Sequence, residues 1–179
     1  MKLIFVRHGQ TEWNAKRLLQ GSTDIPLAPA GLRQAEALRT ALVDTGIDLA
    51  VTSPLLRAKQ TAEIICRERA IPLVEDARIA ERGFGKYEGA FFDRALFDRW
   101  WLPGFHGGKE GIEPLDDFCA RVASLLDELS AQDPRKTVLM VAHGGVSIAV
   151  QRYFCGIPAS SEEAVHFLPN CSPAFFEKE

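Results

Sequence analysis

The chain has 179 residues, 46% of them apolar and 25% charged, a size and composition suited to one globular domain, 1–179, around a single core. A net charge of −3, with basic residues scattered rather than clustered, gives no general attraction to nucleic acid, so any anionic ligand must be held by a local site. The longest apolar stretch, Val138 to Val150, is broken by His143, Gly144, Gly145 and Ser147 and is too short to cross a bilayer, so no membrane partner is expected.

The opening Leu3-Ile4-Phe5-Val6 is a short apolar run of the kind buried on both faces of a parallel sheet, and Arg7 ends it too early for an export signal. A cytoplasmic location is expected. Pro29 to Val43 then shows helical period, with Leu32, Ala35, Leu38 and Leu42 on one stripe, Pro29 in the first turn and Gly46 just past the end. Ile47 to Thr52 is a weaker strand. Pro54 to Arg69 repeats the helical design with Leu55, Ala58, Ala62 and Ile65.

From Glu81 to Glu113 the pattern changes: the segment holds seven of the fourteen glycines and two of the three tryptophans, with no clean period except over Phe91 to Trp101. It is expected to form a lobe of loops and one short helix above the sheet. Asp116 to Leu129 is again helical, with Phe118, Val122, Leu125 and Leu129 aligned. Val138 to Ala142 is a second buried strand, followed by an apolar helix from Val146 to Phe154 that Gly156 and Pro158 close. Val165 to Leu168 and Ala174 to Glu177 are late strand candidates flanking the turn-like Pro169-Asn170-Cys171-Ser172-Pro173. Strands alternating with helices predict an α/β fold, a three-layer α/β/α sandwich whose mostly parallel sheet has an antiparallel edge strand.

Cys66, Cys119, Cys155 and Cys171 show neither C-x-x-C pairing nor zinc-ligand spacing and read as reduced thiols, with Cys66 and Cys155 placed in apolar helical patterns. The histidines show no H-E-x-x-H spacing either, so neither a metal nor a cofactor is expected.

Ligands of open α/β sheets bind beyond the carboxyl ends of the strands. Here the first strand ends in Arg7-His8-Gly9, the strand from Val138 ends in His143-Gly144-Gly145, and the strand from Ile47 leads through Ser53 to Arg57 in the following helix. Two histidines and two arginines are thereby sent to one sheet edge, where Gly9, Gly144 and Gly145 allow backbone and ligand to approach closely. Guanidinium groups match phosphate oxygens, and imidazole is a nucleophile largely neutral near pH 7. A lone histidine at a strand end is usually a packed residue, and a lone helical arginine a solvated one. It is the joint placement that points to phosphoryl chemistry.

The run Leu3-Ile4-Phe5-Val6-Arg7-His8-Gly9-Gln10-Thr11, followed by Asn14, resembles the signature of the histidine phosphatase superfamily, in the branch that contains cofactor-dependent phosphoglycerate mutase. The likeness continues through Gln20-Gly21, Asp24 to Leu27, Gly31 to Ala35, Ser53 to Ala58, Gln60 to Ala62, Glu81, Phe84-Gly85, Glu88-Gly89 and Ala142 to Gly145. It implies that His8 is the nucleophile, that Arg7, Arg57, His143 and Asn14 surround the transferred phosphoryl group, and that Glu81 is the proton donor. Glu88 is a less favoured stand-in for Glu81. Relatives often carry Gly-Glu-Ser where this chain has Gly111-Ile112-Glu113-Pro114, so a serine contact to substrate is expected to be missing.

These features imply a metal-independent phosphomonoester hydrolase of a small phosphorylated metabolite, working through a phosphohistidine on His8. The size and motif pattern resemble broad-specificity phosphatases and alpha-ribazole phosphatase alike. A mutase is the nearest rival, but mutases of this superfamily tend to carry an insertion between the glutamate and the second histidine, and here only 61 residues separate Glu81 from His143. A non-catalytic phospho-ligand binder and a protein phosphatase are further alternatives; the first would not need nucleophile, acid and cations together, and no docking segment favours the second. His106, in a glycine-rich loop that could cover the pocket and bring it to substrate, and His166, in a late strand, read as residues without a metal or catalytic role. Trp100-Trp101 and Phe91-Phe92 either wall the substrate or pack the lobe. Oligomeric state is not legible.

Overall fold

Apolar residues at successive positions of the two best strands serve both faces of one sheet. The computed structural model describes residues 1–102, 104–108, 110–156 and 166–177, with the side chains of 94–96 outside that description. Five strands, β1 (Lys2–Arg7), β2 (Leu49–Thr52), β3 (Leu73–Glu75), β4 (Thr137–Ala142) and β5 (Pro173–Glu177), lie in the order β3-β2-β4-β1-β5. All pairs are parallel except β1 with β5, which forms the expected antiparallel edge. Because strand side chains alternate between faces, Ile4, Val6, Ala50, Leu139 and Val141 pack with Leu38 and Leu42 on one side, together with Ala58, Ala62 and Ile65. Those partners come from α2 (Pro29–Ala41) and α3 (Leu56–Cys66) or just beyond.

The opposite face carries Leu3, Phe5, Val51, Val138 and Met140, packed with Phe118, Val122, Leu125 and Leu126 of α5 (Leu115–Gln132) and Val146 and Val150 of α6 (Gly144–Cys155). Helices thus cover both sides, giving the three-layer α/β/α arrangement. Each fully buried aliphatic or aromatic side chain contributes roughly 1.5–3 kcal/mol, so both faces hold the sheet in place. No helix among the described residues is long and apolar enough to cross a membrane.

Several local readings are corrected. His166 to Pro169 form no strand: Phe167 and Leu168 pack on the core without a ladder, and Val165 lies outside the described residues. A short helix α1 (Glu12–Ala15) follows β1, capped reciprocally by Thr11 and Asn14, and β3 was not expected. Leu32, placed on the α2 stripe, is 41% exposed, and Cys155 is exposed rather than buried in α6. The segment from Glu81 to Glu113 contains a 3-10 turn at Gly85–Tyr87 and α4 (Arg94–Arg99), tied back to the chain by bridges Leu18↔Phe91 and Phe84↔Ile112. Trp100 and Trp101 belong to the buried core of that segment, with Phe84, Phe97 and Phe118 around them; Pro103 and Lys109 lie outside the described residues.

Candidate active site

Strand register assembles the centre of the site. Arg7 pairs with Ala142 and Thr52 with Val141, so the next residues, His8, His143 and Ser53, emerge side by side at the carboxyl edge of β1, β4 and β2. The His8 amide donates to the Ala142 carbonyl at 2.9 Å, and the rings of His8 and His143 lie 5.2 Å apart. The His8 ring is bonded through Nδ1 to the Gly9 carbonyl at 2.7 Å. A carbonyl can only accept, so Nδ1 carries the proton and Nε2 keeps its lone pair. Burial, then the charges of Arg57 and Arg7, hold the His8 pKa well below its ordinary value, so the ring is neutral at pH 7. That is the protonation state a nitrogen nucleophile requires.

His143 is fully buried, and burial followed by the charge of Arg57 lowers its pKa well below the usual range as well. Its Nε2 lies 2.7 Å from Ser53 Oγ, while Nδ1 is buried without a hydrogen-bond partner. Ser53 was quoted in the sequence resemblance without a role; its place beside His143 follows only from the β2–β4 register.

The two arginines are fixed at one end and free at the other. Arg57, fully buried on α3, donates from Nη1 to the Thr23 carbonyl and from Nη2 to the Gly21 carbonyl, each at 2.8 Å, leaving Nε buried and unpartnered. Burial lowers its pKa to about 10, still high enough to keep it charged at neutral pH. Arg7 donates from Nη1 to the Leu168 carbonyl, and its Nε too is buried without a partner. A buried donor without an acceptor costs roughly 1–3 kcal/mol, so Arg7 Nε and Arg57 Nε are groups that an entering phosphoryl oxygen would satisfy, as is His143 Nδ1 in the tautomer that accepts from Ser53 through Nε2.

Asn14 lines the cavity, and its side-chain oxygen accepts from the Thr11 amide at 3.1 Å, which leaves its amino group to donate. Glu81 also lines the cavity. Its Oε1 accepts from the Arg82 amide at 2.9 Å and its Oε2 from the Gly145 amide at 3.0 Å, so two backbone donors fix the carboxylate. The backbone behind Glu81 is gripped by Arg121, which bonds the carbonyls of Arg78, Ala80 and Glu81 and makes two bonds to Glu113. Glu113, in the segment that departs from the usual pattern, therefore anchors a turn.

Glu88 has a different job from the one allowed to it above. Its carboxylate accepts from the amides of Ser22, Thr23 and Phe84 and from the hydroxyls of Ser22 and Thr23. Burial raises its pKa, but those bonds together prevail and hold it below its ordinary value. Glu88 thus clips the loop whose carbonyls hold Arg57. His106 and His166 are exposed and do not line the cavity. Of the glycines expected to let ligand approach, Gly144 and Gly145 line the cavity, and a side chain on Gly145 would also run into Glu81 and come within 2.6 Å of Trp101; Gly9 instead lies against the Gly31 backbone.

Between these residues lies a cavity of about 520 Å³. Its lining includes the polar groups of Arg7, His8, Asn14, Arg57 and Glu81 with Gly144 and Gly145, and also Arg17, Leu18, Leu19, Phe84, Phe92, Phe97 and Phe167. Phe92 is thus a cavity residue, whereas Phe91 is 68% exposed and the tryptophans are packing residues. Of the aromatic wall only Phe92 was offered by the sequence as a substrate contact: Phe84 and Phe97 share its segment without a common period, and Phe167 comes from near the other end of the chain. Among the described residues no cluster of three or more metal-ligating side chains exists.

Comparison with known proteins agrees with this geometry. The histidine phosphatase superfamily (branch 1) model matches residues 3–177. The chain is 40% identical over 142 residues to the uncharacterized phosphatase PhoE of Bacillus subtilis, covering 79% of this chain and 71% of that protein. It is 31% identical over 178 residues to the probable phosphoglycerate mutase GpmB of Yersinia pestis, covering 96% and 82%. The solved structure of YhfR from Bacillus stearothermophilus superposes with a TM-score of 0.87 at 28% identity, covering 99% of this chain and 91% of that one.

Proposed function

The chain belongs to the histidine phosphatase superfamily, branch 1, and we propose that it is a phosphomonoester hydrolase that acts on a small phosphorylated metabolite without a metal, through a phosphohistidine on His8. The observation that carries this reading is the neutral His8 ring, locked through Nδ1–H to the Gly9 carbonyl, with the partnerless Nε–H donors of Arg7 and Arg57 and the unpartnered Nδ1 of His143 around it.

In the first step His8 Nε2 forms a bond to phosphorus as the ester P–O bond breaks, and protonated Glu81 gives its proton to the departing oxygen. Arg7, Arg57, Asn14 and His143 hold the phosphoryl oxygens and neutralise the charge that a metal would otherwise carry. In the second step Glu81, now a carboxylate, takes a proton from water, the water oxygen bonds to phosphorus, and the N–P bond breaks to release inorganic phosphate and neutral His8. Relatives named as phosphatase and as probable mutase both match, so the balance between water and a second alcohol as acceptor decides the class. The short spacing between Glu81 and His143 leaves no room for a long covering insertion, which favours water.

A screen of phosphorylated metabolites in excess chelator tests this reading. It predicts release of inorganic phosphate from at least one ester at full rate. Isomerisation of phosphoglycerates with little phosphate release would make the protein a mutase. Binding without turnover, or turnover that needs added zinc or magnesium, would overturn the proposal.

A further inference from the structure

The cavity lining carries more than a phosphoryl group needs. Phe97 sits at the centre of an aromatic wall, with ring centroids 5.3 Å from Phe84, 4.7 Å from Phe92 and 5.4 Å from Phe167. Leu18 and Leu19 add to the lining. The side-chain oxygens of Asn14 and Gln20 are taken, by the Thr11 amide and the Thr11 hydroxyl respectively, so the neutral polar side chains of the lining offer only their amino groups. A polyol such as glycerol or a sugar would press most of its hydroxyls against carbon and replace few of the hydrogen bonds it loses to water. A flat apolar body would instead gain contact with four rings.

One charge is added to this wall. Arg17 lines the cavity, is exposed, and makes no side-chain hydrogen bond or ion pair with the described residues. Its backbone is held firmly: the Arg17 amide donates to the Asn14 carbonyl at 3.1 Å, and its carbonyl accepts from the Phe92 amide at 2.8 Å. The arginine and an aromatic wall residue are therefore fixed as neighbours. Arg17 also adopts φ 54°, a left-handed conformation that glycine would take more readily. Arg7 and Arg57 belong to the phosphoryl end, so Arg17 is the lining cation left for a second anion.

We infer that this cavity selects phosphomonoesters whose alcohol carries a flat apolar body and, in addition, a carboxylate or second phosphate that Arg17 holds. The inference rests on the hydrolase reading above and adds its substrate class. It also separates this chain from an enzyme for phosphoglycerates, which carry the carboxylate but not the apolar body.

Three esters that all depart as primary alkoxides test it: 4-carboxybenzyl phosphate, its neutral carboxamide isostere 4-carbamoylbenzyl phosphate, and glycerol phosphate. For the wild-type protein kcat/KM is expected to be ~3–10-fold higher for the carboxylate than for the amide, as a charge-assisted contact at an exposed guanidinium allows. Both benzyl esters are expected to exceed glycerol phosphate. Arg17→Gln should bring the carboxylate-to-amide ratio close to one, and Arg17→Lys should retain part of it. Arg17→Gly, which suits the local backbone, should lose the ratio as Gln does, so a folding defect cannot mimic the result. Turnover of the benzyl esters with a ratio near one in the wild type, or a ratio that survives Arg17→Gln, overturns the inference while leaving the hydrolase intact. Glycerol phosphate turned over faster than either benzyl ester overturns the aromatic part. No turnover of any ester, together with failure of the metabolite screen, is failure of the hydrolase reading itself.

Discussion

In the proposed mechanism His8 and Glu81 divide the chemistry, and their surroundings suit opposite duties. Burial and two nearby guanidinium groups keep His8 uncharged, and its bond to the Gly9 carbonyl leaves Nε2 as the nucleophilic atom. Glu81 is held by two backbone amides in the same cavity, where it is proposed to deliver a proton to the leaving oxygen. Glu81→Gln keeps the size and loses the proton. An alkoxide cannot depart unaided whereas a nitrophenolate can, so phosphoenzyme formation from glycerol phosphate should slow by ~10²–10⁴-fold and that from p-nitrophenyl phosphate far less. The comparison belongs to the first step, measured by rapid quench, because Glu81 also assists hydrolysis of the phosphoenzyme, which both substrates share. Equal slowing for the two esters would remove Glu81 from the acid role, and with Glu88 committed to its five donors the acid would have to be sought elsewhere.

At the level of elements, the first turn of α6 and the turn bearing Glu81 work as one piece. Gly145 must lack a side chain so that its amide can reach the Glu81 carboxylate and Trp101 can pack behind. Gly145→Ala is expected to displace Glu81 and lower kcat by ~10²-fold, of the order seen when a catalytic group moves by 1 Å, with the phosphoenzyme still able to form from an activated ester. Unchanged kcat on glycerol phosphate would show that the packing there is looser than described. The main elements were legible in the sequence because their apolar residues repeat with the period of a strand or a helix, and the strand-end rule placed Arg7, His8 and His143 together. The short elements were not: α1 is a single capped turn, and β3 is three residues long. Val165 to Leu168 misled because apolar residues that dock on a core look like a strand when no hydrogen-bond ladder is visible. Glu81 was reached through family resemblance alone, since it sits in a turn without period, and nothing in the local sequence announces that Arg121 and Glu113 hold that turn. Arg17 and the phenylalanine wall are products of tertiary contact.

The whole molecule carries an electrostatic cost for this site. Two buried neutral histidines have folded pKa values well below 6.5, whereas the unfolded chain takes up protons near that value. As pH falls through about 6.5 the unfolded state binds more protons than the folded one, so stability declines, by at most about 1.4 kcal/mol per pH unit per histidine, until the folded rings themselves titrate. The carboxylates held low by partners, Glu36, Asp76, Glu88 and Asp133, act in the same direction but at more acid pH. The urea midpoint should therefore drop between pH 7 and 5.5, and drop less in His143→Gln; equal midpoints across that range would mean the rings are not held neutral. The same neutrality underlies the central claim, that His8 accepts the phosphoryl group. The most direct measurement is rapid-quench mass analysis under alkaline conditions that preserve phosphohistidine, on protein mixed with p-nitrophenyl phosphate in excess chelator. The account predicts one added phosphoryl group, on the peptide bearing His8, absent from His8→Ala; a phosphoryl group on His143 or any other residue, or turnover that persists in His8→Ala, would contradict it.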